Sequence, residues 1–157
     1  VLRGRFTGNS LAVMFLDIDH FKAINDTHGH AVGDAVLVEY ARRLQGSVRG
    51  TDMVARLAGD EFVLVLENLG GQEAVAIVAA KITDRIGKRP FEVDGRQIDV
   101  TTSIGIAFHR AADSLVTAEE LLARADAAMY HAKAAGRNRF EFFMSIRNLP
   151  DTTAEAH

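Results

Sequence analysis

Two apolar runs, Met53–Leu57 and Phe62–Leu66, flank the four residues Ala58-Gly59-Asp60-Glu61. Runs of this kind broken by a Gly-Asp pair predict a β-hairpin. Upstream, Leu11–Ile18 is a nearly unbroken apolar run that reads as a buried strand, with Asp17 and Asp19 at its end. Asp19–Asp26 predicts a short helical turn, and Thr27–Gly33 a Gly- and His-rich loop. Asp34–Leu44 then predicts a helix that places Val36, Leu37, Tyr40, Ala41 and Leu44 on one face and stops at Gly46. Glu73–Ile86 repeats that spacing with Val75, Val78, Ala79, Ile82 and Ile86 inward, before Gly87 and Pro90. Phe91–Val93 and Gln97–Phe108 predict a second hairpin around Asp94-Gly95. Thr117-Ala118-Glu119-Glu120 is a capping box that opens a helix through Ala132, with Leu121, Leu122, Ala125, Ala128 and Met129 toward the core. Gly136 ends it, Arg139–Phe143 predicts a last strand, and residues 144–157 read as a tail or linker. Five or six strands and four helices, joined by hairpins as well as crossovers, predict an α+β fold with a mixed or antiparallel sheet flanked by helices.

Composition narrows the partners more than the fold. At 157 residues, with 48% apolar and 25% charged, the chain is expected to form one domain with a proper core. A net charge of −3 argues against a surface built to coat nucleic acid. There is no cysteine, so disulfides and thiolate metal sites drop out. With no run of membrane-spanning length and no signal peptide, a reducing cytoplasm fits, whether or not the parent protein is membrane-anchored. The chain starts without Met and reads as a piece of a longer protein with other domains.

The chemistry lies in scattered carboxylates. Asp17 ends the first strand, and Asp60 and Glu61 sit at the hairpin tip behind Gly59, which lets another group approach closely. If strand and hairpin are neighbours the three acids converge, and a divalent cation is the natural partner for charges that otherwise repel. Magnesium, or manganese in its place, suits few hard oxygen ligands completed by water and phosphate, and metals so held suit in-line attack at phosphorus. Asp19 reads equally as a cap on the helix that follows. Lys22, Lys133 and Arg137 could meet phosphate oxygens, although Lys133 on spacing alone is also a cation placed for a helix dipole. Asn25 and Asp34 bracket the Thr27–Gly33 loop, where both are common turn and cap formers. Their carboxylate and amide also match the donor edge of guanine. His28 and His30 read as structural.

These motifs, in this order, resemble the GGDEF family of diguanylate cyclases. The resemblance rests on Phe15-Leu16-Asp17-Ile18-Asp19-His20-Phe21-Lys22, Ile24-Asn25-Asp26, Gly29-His30 and Gly33-Asp34. It continues through Arg56-Leu57-Ala58-Gly59-Asp60-Glu61-Phe62, Ser103-Ile104-Gly105-Ile106-Ala107 and Ala132-Lys133 to Gly136-Arg137-Asn138, covering about residues 11–143. It implies a five-stranded sheet akin to nucleotide cyclases and polymerase palms. The implied reaction condenses two GTP into cyclic di-GMP across a two-fold homodimer, releasing two pyrophosphates. It also implies metal ligation by Asp17, Asp60 and the Ile18 carbonyl, with Asp60 and Glu61 as the catalytic acids and Glu61 near the attacking 3′-hydroxyl. Gly59, Lys22, Lys133 and Arg137 would then meet the triphosphate side of the substrate, and Asn25 and Asp34 would read guanine. Arg49-Gly50-Thr51-Asp52 matches the family's Arg-x-x-Asp product-inhibition site. Arg49 there can donate twice to guanine O6 and N7 while Asp52 accepts from the opposite edge.

Two departures stand out. Ala58 replaces the first Gly of the signature, so a Cβ is expected to crowd the turn, and the family's Asp-x-Leu-Thr-Gly-Leu-x-Asn-Arg lead-in is missing, Leu2–Phe6 matching at most its tail. These expectations leave a second function open beside the enzyme: a regulatory module that binds GTP or cyclic di-GMP and controls an attached domain such as an EAL phosphodiesterase. A dimerising scaffold without nucleotide is the third.

Overall fold

The computed structural model describes residues 10–49, 53–67, 70–110 and 116–144. In chain order they form β1 (Leu11–Ile18), α1 (Phe21–His28), α2 (His30–Gln45), β2 (Met53–Ala58), β3 (Glu61–Glu67) and α3 (Gln72–Gly87). There follow β4 (Phe91–Val93), β5 (Arg96–Ile98), β6 (Thr102–His109), α4 (Ala118–Ala134) and β7 (Arg139–Phe142). The main sheet has five strands in the order β2-β3-β1-β6-β7, and β4 and β5 pair apart from it. Within the main sheet β6 and β7 run parallel and the other neighbours antiparallel. This is the mixed five-stranded α+β sheet that the sequence predicts.

Because strand side chains alternate between faces, the central strand β1 feeds two cores. Ala12, Met14, Leu16 and Ile18 pack with Val36, Tyr40 and Leu44 of α2 and Val75, Ala79, Ile82 and Ile86 of α3. Leu11 and Val13 pack with Val63, Val65 and Ala107 under Leu121 and Ala125 of α4. Continuing the odd-numbered parity carries Asp17 to the α4 side. Gly105 of β6, the cross-strand partner of Phe15, is what lets α4 settle there. A Cβ at that position would lie 2.1 Å from both the Ala125 carbonyl oxygen and the Met129 amide nitrogen.

Two predicted elements change shape. The Thr27–Gly33 loop is replaced by two helices meeting at one residue, Gly29, whose φ of 94° ends α1 and allows α2 to start at His30. The long strand expected over Gln97–Phe108 divides: β5 turns back on β4 through Asp94 and Gly95 at φ 51° and 75°, and β6 begins only at Thr102. The capping box forms as read, with the Thr117 side chain accepting from the Glu120 amide and the Glu120 carboxylate accepting from the Thr117 amide. Among the described residues no helix is long and apolar enough to cross a membrane.

Candidate functional site

The register of β1 against β3 pairs Asp17 with Glu61, and the two-residue connection Gly59-Asp60 joins β3 to β2 at that same end of the sheet. Gly59 takes φ 53°, and a Cβ there would meet nothing within 4 Å, so the tip is open to an incoming group. The Arg56 guanidinium donates to the Gly59 carbonyl at 2.8 Å and braces the turn. Ala58 lies in β2 opposite Glu61 and is exposed. The left-handed residue of the turn is Gly59 rather than Ala58.

Asp17 is 5% exposed. Its Oδ2 accepts from Lys133 Nζ of α4, while its Oδ1 is buried without a hydrogen-bond partner. Burial and the neighbouring Asp60 carboxyl push the Asp17 carboxyl up to about 7, against the opposing pull of Lys133. Its main chain is braced from the other face of the sheet. The Thr102 hydroxyl donates to the Asp17 carbonyl at 2.7 Å, and the buried Tyr40 hydroxyl lies 2.7 Å from Thr102 Oγ1. Burial pushes the Tyr40 phenol above its ordinary range.

Among the described residues no three His, Asp or Glu side chains group around one point. Asp17 and Asp60 nevertheless suit a hard divalent cation. One buried carboxylate oxygen lacks a donor, a second acid adjoins it, and magnesium ordinarily takes only one or two carboxylates from a protein. Glu61 is exposed on the same strand end.

Of the predicted phosphate contacts, Lys133 reaches this corner. Arg137 follows it in a left-handed loop, its φ 63° between Gly136 at 123° and Asn138 at 50°. Lys22 is on α1, its side chain 92% exposed and 3.9 Å from Asp26. Asn25 lies on α1 and Asp34 on α2. A Cβ on Gly33 would fall 1.7 Å from Asn25 Oδ1, so the amide packs directly on the residue before Asp34. From Asp34 a cleft of about 420 Å³ runs between α2 and the hairpin, floored by Leu37, Ala41, Val54 and Phe62. Its apolar floor and acidic end suit a flat heterocycle with N–H donors at its edge.

Arg49 lies elsewhere, donating to the Glu67 carbonyl at 2.6 Å at the far end of β3, and Asp52 falls outside the described residues. Asp19, read from sequence as a helix cap, does not cap: α1 begins after His20 with no side-chain cap. It accepts instead from Thr101, Ser103 and the Asn138 amide. The sequence marks Tyr40 only as a core position and Ser103 only as part of a family motif, and it does not mark Thr101 or Thr102. The run of three hydroxyls before Ile104 was the available signal.

The family model described as "Diguanylate cyclase, GGDEF domain" matches residues 3–139. The chain is 45% identical over 137 residues to a bifunctional diguanylate cyclase/cyclic di-GMP phosphodiesterase, MucR, of Pseudomonas aeruginosa. That match covers 87% of this chain and 19% of MucR, so the chain spans about a fifth of that relative. An X-ray structure of an EAL/GGDEF domain protein from M. capsulatus superposes with a TM-score of 0.79 at 44% identity, over 88% of this chain and 87% of that one. The GGDEF domain of DgcB from Caulobacter crescentus, in complex with c-di-GMP, gives 0.78 at 30% identity, over 88% and 80%.

Proposed function

The chain belongs to the GGDEF family of diguanylate cyclases, and from that premise we propose that it joins two GTP molecules into cyclic di-GMP as a two-fold dimer. In each half-reaction a 3′-oxygen bonds to the α-phosphorus of the other GTP, the bond to the β-phosphate breaks, and pyrophosphate leaves. The observation that carries this reading is the meeting of Asp17 with the Asp60 corner, where one buried carboxylate oxygen lacks a partner.

Asp17 and Asp60, with the Ile18 carbonyl, would hold magnesium, which when bound neutralises phosphate charge and polarises the phosphorus centre. Lys133 and Arg137 supply positive charge to the triphosphate, one as a point charge and the other as a fork. Lys22, exposed on α1, would add a further positive charge. Glu61 accepts the hydrogen bond of the attacking 3′-hydroxyl. Asp34 takes the N1–H and N2–H edge of guanine and Asn25 adds an amide contact, with the base in the cleft over Leu37 and Phe62. Because one domain holds one GTP and the product is symmetric, two domains meet through an isologous face.

The names of the similar proteins favour a second reading as well. One is bifunctional with a phosphodiesterase and another carries EAL beside GGDEF, which suits a module that binds GTP or cyclic di-GMP and regulates an attached phosphodiesterase. One assay separates the two: incubation with GTP and magnesium, followed by chromatography for cyclic di-GMP. Product that disappears in Asp60→Asn supports the cyclase. Tight GTP binding without product supports the module.

A further inference from the structure

Asp19 is 4% exposed, yet both of its oxygens are committed to protein donors. Oδ2 accepts from the Thr101 hydroxyl at 2.6 Å and from the Asn138 amide at 3.0 Å. Oδ1 accepts from the Ser103 hydroxyl at 2.6 Å, and the Asp19 amide donates to the Thr101 carbonyl at 3.0 Å. One carboxylate thus ties the end of β1 to the start of β6 and to the loop between α4 and β7. Asp17, two residues earlier, differs in having an oxygen to spare.

The tied loop is an unusual one. Gly136, Arg137 and Asn138 stand in succession at φ 123°, 63° and 50°. Asn138 tolerates this region, but for Arg137 it is unfavourable and persists where the surroundings over-determine it. Two amide bonds fix the loop to the last turn of α4, from Gly136 to the Lys133 carbonyl at 3.2 Å and from Arg137 to the Ala132 carbonyl at 3.0 Å. The hydrogen bond from the Asn138 amide to Asp19 anchors the loop to the end of β1.

We propose that Asp19 is a positioning residue: its carboxylate holds the Gly136–Asn138 loop in left-handed form and thereby sets where Arg137 meets the triphosphate of GTP. This rests on the assignment of Arg137 to phosphate made above. A carboxylate suits the place because three donors converge on it and acceptor capacity is all that is required. An Asn there keeps one oxygen for Thr101 and Asn138 and turns its amide nitrogen to the Ser103 hydroxyl, which can rotate to accept. An Ala leaves all three donors without their acceptor.

The test is GTP kinetics of the full-length protein with Asp19→Ala, Asp19→Asn, Arg137→Ala and the Asp19→Ala/Arg137→Ala pair. Amide hydrogen exchange at Asn138 is followed alongside. A misplaced loop is expected to raise KM for GTP roughly ten- to a hundred-fold in Asp19→Ala, with a smaller change in kcat. Asp19→Asn recovers most of the loss. The pair is no worse than Arg137→Ala alone, because both changes remove the same contact. Asn138 exchanges faster in Asp19→Ala than in Asp19→Asn. Should Asp19→Ala fail to fold, Asp19→Ser, too short to span the three donors, carries the same comparison. Additive losses in the pair, or an Asn138 amide as protected in Asp19→Ala as in the parent, overturn the proposal. An Arg137→Ala variant with unchanged KM refutes the assignment of Arg137 instead, even where exchange at Asn138 shows that Asp19 holds the loop.

Discussion

The two oxygens of Asp17 have different surroundings, one facing the Lys133 ammonium and the other buried without a donor. That asymmetry has a consequence for stability in the absence of divalent cations. The carboxyl rises from an ordinary 3.8 to about 7 on folding, through burial first and the Asp60 carboxyl second. Between those values the native chain holds a proton that the unfolded chain has released. Stability therefore falls as pH rises through this window and levels off above it. Urea unfolding in EDTA at a series of pH values from 4.5 to 8 is expected to show that decline in the parent and a flatter profile in Asp17→Asn. Matching slopes in the two proteins would remove Asp17 as its source. Added magnesium should stabilise more at pH 8 than at pH 5, since the ligand must be ionised to bind. The placing of Asp17 beside the hairpin tip was legible in the sequence, because an apolar strand ending in Asp17 pairs with the hairpin arm that starts at Glu61. What Asp19 does was not legible, because Thr101, Ser103 and Asn138 lie 82, 84 and 119 residues along the chain.

At the scale of elements, the contact that fixes the site is α4 on β6, since α4 delivers Lys133 to Asp17. It depends on the missing side chain of Gly105. A Cβ there would press on the backbone of α4 at Ala125 and Met129 rather than on a side chain that could swing away. Gly105→Ala is accordingly expected to cost about 3 kcal/mol, the upper end for an overpacked core, read as a lower urea midpoint. A change below about 0.5 kcal/mol, the range of an ordinary surface substitution, would show that α4 can ride outward at little cost. Periodicity gave β1, β3, α3 and α4 to within a residue or two because each has one strongly apolar face, or two, and α4 also has its capping box. It missed the start of α2, where His30 and the glycines imitate a loop while a single left-handed Gly29 turns one helix into the next. It also ran β5 into β6, because the apolar pattern continues through Val100 although the chain there changes sheets.

On the scale of the molecule, the acids proposed for catalysis and the Arg49 proposed to bind product sit at opposite ends of β3. Glu61 opens that strand beside Asp17, while Arg49 donates to the carbonyl of Glu67, which closes it. Six residues of extended chain separate the two ends by about 20 Å. A cyclic dinucleotide held by Arg49 through its guanine edges, as proposed, would lie too far away to block the Asp17–Asp60 corner by contact. On the proposed assignment it would act by fixing how one domain faces its two-fold partner or a neighbouring domain. Removing the guanidinium should then leave the chemistry intact. Arg49→Ala is expected to keep the initial rate of cyclic di-GMP formation, measured before product builds up, within about two-fold of the parent, as for a site that shares no partner with the reacting groups. Progress curves should lose their early flattening, and product added beforehand should no longer slow the reaction. Substitution of Asp60 ought to give the reverse pattern, with product binding retained and turnover lost. An inhibition curve in Arg49→Ala that overlays the parent would show that restraint is exerted from the catalytic end itself. The separation along β3 would then have no regulatory meaning.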